Sequence, residues 1–194
     1  DLDLSNLPQL TELDLSNEQV IETLIFDLTE LDLSNVPELE TLRCNFHLLT
    51  ELDLSNVPNL TELSCYFNQL TELDLSNVPN LINVDCSNNK LTDLDLSNVP
   101  NLTFFAFGGN QLTALDLSRL PELTELNCSD NQMTDLNLSN VPNLAMLRCN
   151  NNQLTQLDLS NVPELTVLNC GGNQLLDLDL SNLPQLTELD LSNE

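Results

Sequence analysis

Residues 60–80 read LTELSCYFNQLTELDLSNVPN. The same 21-residue pattern returns in phase along the chain, with units opening at Leu39, Leu60, Leu81, Leu102, Leu123, Leu144, Leu165 and Leu186. In the first half of the quoted unit Leu63 and Cys65 stand two apart, and in the second half Leu73 and Leu75 do the same. Alternation at a period of two marks a half-buried strand. Turn chemistry closes each alternation: Asn68 follows the first, and Ser76-Asn77-Val78-Pro79 the second. No helical period is sustained, and proline recurs too often for helices of any length. A short unit with two extended runs and two corners is one coil of a solenoid. The expectation is a mostly β array over residues 1–194, with little or no helix. The first strands should form one parallel sheet and the second short strands another.

Stacking coil on coil places equivalent residues about 4.8 Å apart, so each position becomes a column. The inward columns of one coil are Leu60, Leu63, Cys65, Leu70, Leu73, Leu75 and Val78. Each such burial contributes roughly 1.5–3 kcal/mol, largely offset by chain entropy. A single coil therefore cannot fold, and neighbours must share the core.

The pattern resembles the leucine-rich repeat, L-x-x-L-x-L-x-x-N/C-x-L. Cysteine takes the third hallmark position at Cys44, Cys65, Cys86, Cys128, Cys149 and Cys170. A 21-residue unit with that substitution is similar to the cysteine-ladder, internalin-type bacterial surface proteins. The resemblance implies a right-handed superhelix whose first strands line a concave, partner-binding sheet. It also implies an extracellular or cell-surface location.

Composition narrows the partners. Four Lys and Arg face 31 Asp and Glu, for a net charge of −27. Such a field repels phosphate backbones and anionic lipid, so nucleic acid and membrane insertion are not expected. Hydropathy is interrupted every few residues, which leaves no transmembrane span. The first residues carry no charged-then-apolar leader.

The cysteines all fall in one column, and the unit that skips it carries Phe107. Phenylalanine in place of cysteine marks the column as apolar filling. Parallel stacked side chains also make poor disulfide geometry, and one cysteine per coil does not assemble a zinc site. Buried free thiols are expected. A second column, Asn68, Asn89, Asn110, Asn131, Asn152 and Asn173, should serve backbone groups at the corner. His47, the single histidine, occupies that column with no nucleophile or ligand set beside it, so a corner role is expected. No enzyme is indicated.

An acidic column runs Asp32, Asp53, Asp74, Asp95, Asp116, Asp158 and Asp179, with Asn137 interrupting. It reads as a solvated charged face. Asp53, Asp74 and Asp95 are weak calcium candidates, since Ca²⁺ favours clustered carboxylates. No calcium-loop motif accompanies them, and no cofactor is expected.

The second half of the unit is nearly constant, whereas the outward positions of the first strand and its corner vary. That variable face gathers Arg43, Phe46, Tyr66, Phe67, Phe104, Met146, Arg148 and Val167. Arginine and aromatics are the residues enriched as interface anchors, so this is the candidate binding surface. Finally, residues 1–18 are identical to residues 177–194, and the 21-residue phase breaks at 20–27 (VIETLIFD). The reading is a segment of a longer tandem array with an irregular seam. Three functions follow: a non-enzymatic extracellular filament or stalk associating end to end with itself, an internalin-like module binding a protein or glycan, or an engineered consensus scaffold.

Overall fold

The structure, a computed structural model, describes residues 2–16 and 28–192. Each coil contributes one three-residue strand: β1 (Glu12–Asp14), β2 (Thr41–Arg43), β3 (Glu62–Ser64), β4 (Asn83–Asp85), β5 (Phe104–Ala106), β6 (Glu125–Asn127), β7 (Met146–Arg148), β8 (Val167–Asn169) and β9 (Glu188–Asp190). They pair in chain order as one parallel sheet. The register is in phase throughout: Leu42 faces Leu63, which faces Val84, and so on to Leu168 and Leu189. The hydrogen-bond ladder continues past each strand into the corner, with Cys44 N–H donating to Ser64 O at 2.8 Å and Phe46 N–H to Tyr66 O at 3.0 Å.

Between β1 and β2 the register holds although Glu12 and Thr41 are 29 residues apart rather than 21. The extra eight residues are thus accommodated without shifting the ladder. The seam expected at 20–27 lies outside the described residues.

From β2 to β8 the central residue of each strand points inward, while Leu13 of β1 is half-buried and Leu189 of β9 is exposed. Leu42, Leu63, Val84, Phe105, Leu126, Leu147 and Leu168 are buried, as are all six cysteines. Phe107 replaces a thiol without exposure, and its ring packs on Phe105 at 4.9 Å. Val78 and its equivalents close the core from the turn side.

The second half of the coil differs from expectation. Its Leu-x-Leu run forms no strand among the described residues, so there is no second short-strand sheet. The reason is visible in its hydrogen bonds. Successive tight turns consume the backbone groups locally: Val78 N–H donates to Leu75 O at 3.3 Å and Leu81 N–H to Val78 O at 3.3 Å. Between the coils only isolated backbone bonds remain there, such as Gln69 N–H to Leu49 O at 2.9 Å. The core side still alternates, because leucine burial needs the extended run but not a paired ladder.

Candidate binding face

Three side-chain columns hold the scaffold on which any site is built. In the asparagine column each amide serves at least three backbone groups. Asn110 Oδ1 accepts from Leu91 N–H at 3.0 Å, while its Nδ2 donates to Cys86 O at 3.1 Å and Phe107 O at 2.9 Å. Asn68, Asn89, Asn131, Asn152 and Asn173 repeat the arrangement. His47 takes the same place with less to offer: Nε2 is 2.8 Å from Leu15 O, and the buried Nδ1 has no hydrogen-bond partner.

In the cysteine column all six thiols are free and buried. Burial pushes the Cys44 and Cys128 thiols up to about 12 and Cys170 up to about 11, and raises the others too. A thiol held protonated is a poor nucleophile and a poor metal ligand.

The acidic column has a definite structural task that its charge concealed. Asp74 Oδ1 accepts from Ser76 N–H at 2.8 Å, and Asp53 and Asp95 do the same with Ser55 and Ser97 at 2.9 Å. These are Asx turns. Asn137 makes the same bond to Ser139 N–H at 3.0 Å, so the column needs an acceptor rather than a charge. The serine hydrogen bonds hold these carboxyls below their ordinary value. Among the described residues no three His, Cys, Asp or Glu side chains converge to hold a metal ion.

The outward residues of the strands form the candidate face, and the eight expected residues fall into three groups. Arg43 is committed within the fold. It lies 2.9 Å from Glu12 through Nη1 and 2.7 Å from Glu62 through Nη2, and so ties β1, β2 and β3 together. Those carboxylates raise its affinity for the proton further. Beside it, Asn45 is buried, donating to Ser16 Oγ at 3.0 Å and accepting from Tyr66 N–H at 3.0 Å. Sequence reading did not single out Asn45. Its partners lie on coils either side, one of them across the 29-residue offset.

Phe46, Tyr66 and Phe67 gather at the corner after β2 and β3. Phe46 stacks on Phe67 at 4.9 Å with 10° between the ring planes, and Tyr66 meets both edge-on at 5.0 and 5.9 Å. Phe104, Met146 and Val167 lie further along the sheet and are half-buried, with Glu125 between the first two. Arg148 is exposed on β7, flanked across the ladder by Asn127 and Asn169. No ion pair holds it among the described residues, in contrast to Arg43.

One parallel strand per 21-residue coil, an inward leucine and an asparagine corner ladder define a leucine-rich repeat protein. The family described as Leucine Rich repeats (2 copies) matches residues 58–98 and 121–161. The chain is similar to the functional domain of InlJ from Listeria monocytogenes, which includes a cysteine ladder. The two are 38% identical with a TM-score of 0.90, over 97% of this chain and 40% of that one. Internalin C2 from the same organism is 27% identical with a TM-score of 0.73, over 80% of this chain and 71% of that one. The leucine-rich repeat protein LIC12759 of Leptospira interrogans, at 22% identity and a TM-score of 0.72 over 96% of this chain and 55% of that one, shares the fold. No curated protein matches the chain in sequence. The chain is an internalin-like leucine-rich repeat array with a cysteine ladder, and it spans less than half the length of the InlJ chain it resembles.

Proposed function

We propose that this chain is a non-enzymatic, extracellular binding module of a bacterial surface protein, and that it engages a protein through the outward face of its sheet. The observation that carries this reading is the distribution of variation. Backbone partners in the strand half are supplied by adjacent coils, which frees the outward side chains. On that free surface stand Phe104, Met146, Val167 and the unpaired Arg148. Aromatic, methionine and arginine side chains are the types enriched in interfaces. The buried thiols suit an oxidising exterior, because none is accessible. No helix among the described residues is long and apolar enough to cross a membrane. In this reading the module works without a cofactor.

A second reading, a tandem surface filament or stalk, is favoured by one separate observation. The stretches 1–18 and 177–194 are identical in sequence, and their described parts, residues 2–16 and 178–192, carry strands β1 and β9 with matching turns at Ser16 and Ser192. A coil that can both precede β2 and follow β8 is compatible with indefinite continuation.

The test is capture from bacterial and host cell-surface extracts by the wild-type chain and by a Phe104→Ala/Met146→Ala/Arg148→Ala variant. Partners held by the wild type and lost by a folded variant support the binding face. Equal capture by both overturns it. Electron microscopy of the native material decides the filament, through the presence or absence of long fibres with a constant axial repeat.

A further inference from the structure

One position in the corner has a conformation that its occupants do not tolerate equally. Phe46, Phe67, Asn88, Gly109, Asp130, Asn151 and Gly172 all adopt positive φ, between 53° and 68°. Glycine, asparagine and aspartate tolerate this left-handed region, whereas a bulky residue there is an outlier. Five coils use a tolerant residue, and two consecutive coils use phenylalanine against the preference of the backbone. Nothing in the turn requires an aromatic ring, since the turn closes identically with Asn88: its N–H donates to Gly108 O at 2.7 Å, as Phe67 N–H donates to Ser87 O at 3.0 Å.

The departure extends to neighbouring columns. Position 48 is leucine, 39% exposed, where later coils place Gln69, Lys90, Gln111, Gln132, Gln153 and Gln174. Position 66 is tyrosine where later coils place serine, glycine or asparagine. The rings hold one another in fixed geometry, yet Phe67 remains 48% exposed. A local outlier that recurs, is pre-ordered and stays exposed points to a contact outside the fold.

Charge selects the partner. The chain carries −27 overall, and the strands beside the rings present Glu62 and Asp85. The nearest cation on the sheet, Arg43, is already committed to Glu12 and Glu62. Aromatic faces in an acidic field attract cations. We propose that the Phe46–Tyr66–Phe67 corner is the anchor of the binding surface and takes an arginine- or lysine-bearing apolar segment of a basic protein. This rests on the binding-module reading and extends it from the sheet face to the corner.

The probe is a nine-residue peptide of alternating arginine and leucine, titrated at physiological salt into the full 194-residue chain. Ring resonances of the three aromatics are followed by NMR, and affinity by calorimetry. Phe67→Asn installs the residue that Asn88 and Asn151 show to be compatible with the turn. It is expected to weaken the peptide by about fivefold or more and to hold the melting temperature within about 3 °C of wild type. Equal affinity in both proteins would falsify the anchor, reducing the interaction to bulk charge. A larger fall in melting temperature overturns it too, because the rings would then exist to hold the corner. Ring shifts with maltoheptaose and none with the peptide overturn it in favour of a glycan. If Phe67→Asn binds the peptide normally while the Phe104/Met146/Arg148 variant loses its captured partners, only the anchor fails. The reverse result retains the anchor and removes the sheet-face reading.

Discussion

The strand half and the turn half of each coil satisfy their backbones in opposite ways. In the strand half the partners are other strands: Cys65 N–H reaches Asp85 O at 2.8 Å on the next coil, and the side chains between are not consulted. In the turn half and at the corner the chain relies on its own tight turns and on side chains, with Asp74 bonding Ser76 N–H and Asn89 bonding Leu70 N–H at 2.9 Å. A position whose side chain closes a backbone bond cannot change freely, whereas one that merely projects from a ladder can. This explains why the Asp-Leu-Ser-Asn-Val-Pro run is repetitive and the strand exterior is not. Variation here is permitted by backbone bookkeeping before it is used for recognition.

That contrast can be stressed from either end of the pH scale, and the largest effect should come from alkali acting on the strand half. The six thiols lie on the inner wall of the strands and are raised above their ordinary value near 9.0. Above that value the unfolded chain loses protons that the folded chain keeps. Stability is therefore complete below pH 9 and falls as pH climbs towards 12, by about 1.4 kcal/mol per thiol at pH 10. Chemical denaturation under reducing conditions at pH 8 and pH 10 should show a large drop, with a shallower pH slope in Cys86→Ala. Equal midpoints at the two pH values would contradict it.

Next comes the corner, where the halves join. Asn110→Ala strands Leu91 N–H in the core and removes one of the two amide donors that Cys86 O and Phe107 O each have, the others being Asn89 and Asn131, which costs roughly 2–4 kcal/mol. Urea melts should place this variant far below any single substitution on the strand exterior, such as Asn83→Ser, which should stay within about 0.5 kcal/mol. Comparable losses in both would erase the distinction drawn above.

A smaller loss, about 1–3 kcal/mol, is expected for Gly171→Ala. Its new methyl group would collide with the Ser192 carbonyl on the following coil. Hydrogen exchange should show the damage confined to β8 and β9, and a uniform loss of protection would argue against local overpacking.

The smallest effect belongs to the turn half. Its aspartates are held below 3.8 by their serine hydrogen bonds, so their contribution is present above that value and lost as pH falls through the lowered one. At neutral pH Asp74→Asn should leave the melting temperature unchanged, since Asn137 already works in this column. Asp74→Ala should lower it measurably. If Asp74→Asn is as harmful as Asp74→Ala, charge matters and the acceptor account is wrong.

The repeat, the buried thiols and the asparagine ladder were legible in sequence because each rests on a column whose occupants share one physical property. Phe107 among cysteines names the property directly. The aspartate column is solvated, as its charge implies, and its further hydrogen-bond role is signalled only by Asn137: a neutral acceptor in the same place means a hydrogen bond. A second sheet does not follow from Leu-x-Leu, which reports which side is buried and not whether the backbone is paired. The ion pair of Arg43 with Glu12 is hidden in the sequence, because Glu12 is 31 residues away and the extra eight residues mask the adjacency. The left-handed corner was readable in principle from Asn88, Gly109, Asp130, Asn151 and Gly172 standing in one column, and only the two phenylalanines masked it.

The in-phase ladder has a mechanical consequence. Each coil holds 21 residues yet adds only about 4.8 Å to the long axis. Pulled free, those residues reach up to about 70 Å. A coil that yields under tension therefore releases about fourteen times its own height in slack. Because each coil's strand contacts are with its neighbours alone, the next one need not yield with it. Built this way, the array can lengthen stepwise under load and close again coil by coil when the load is removed.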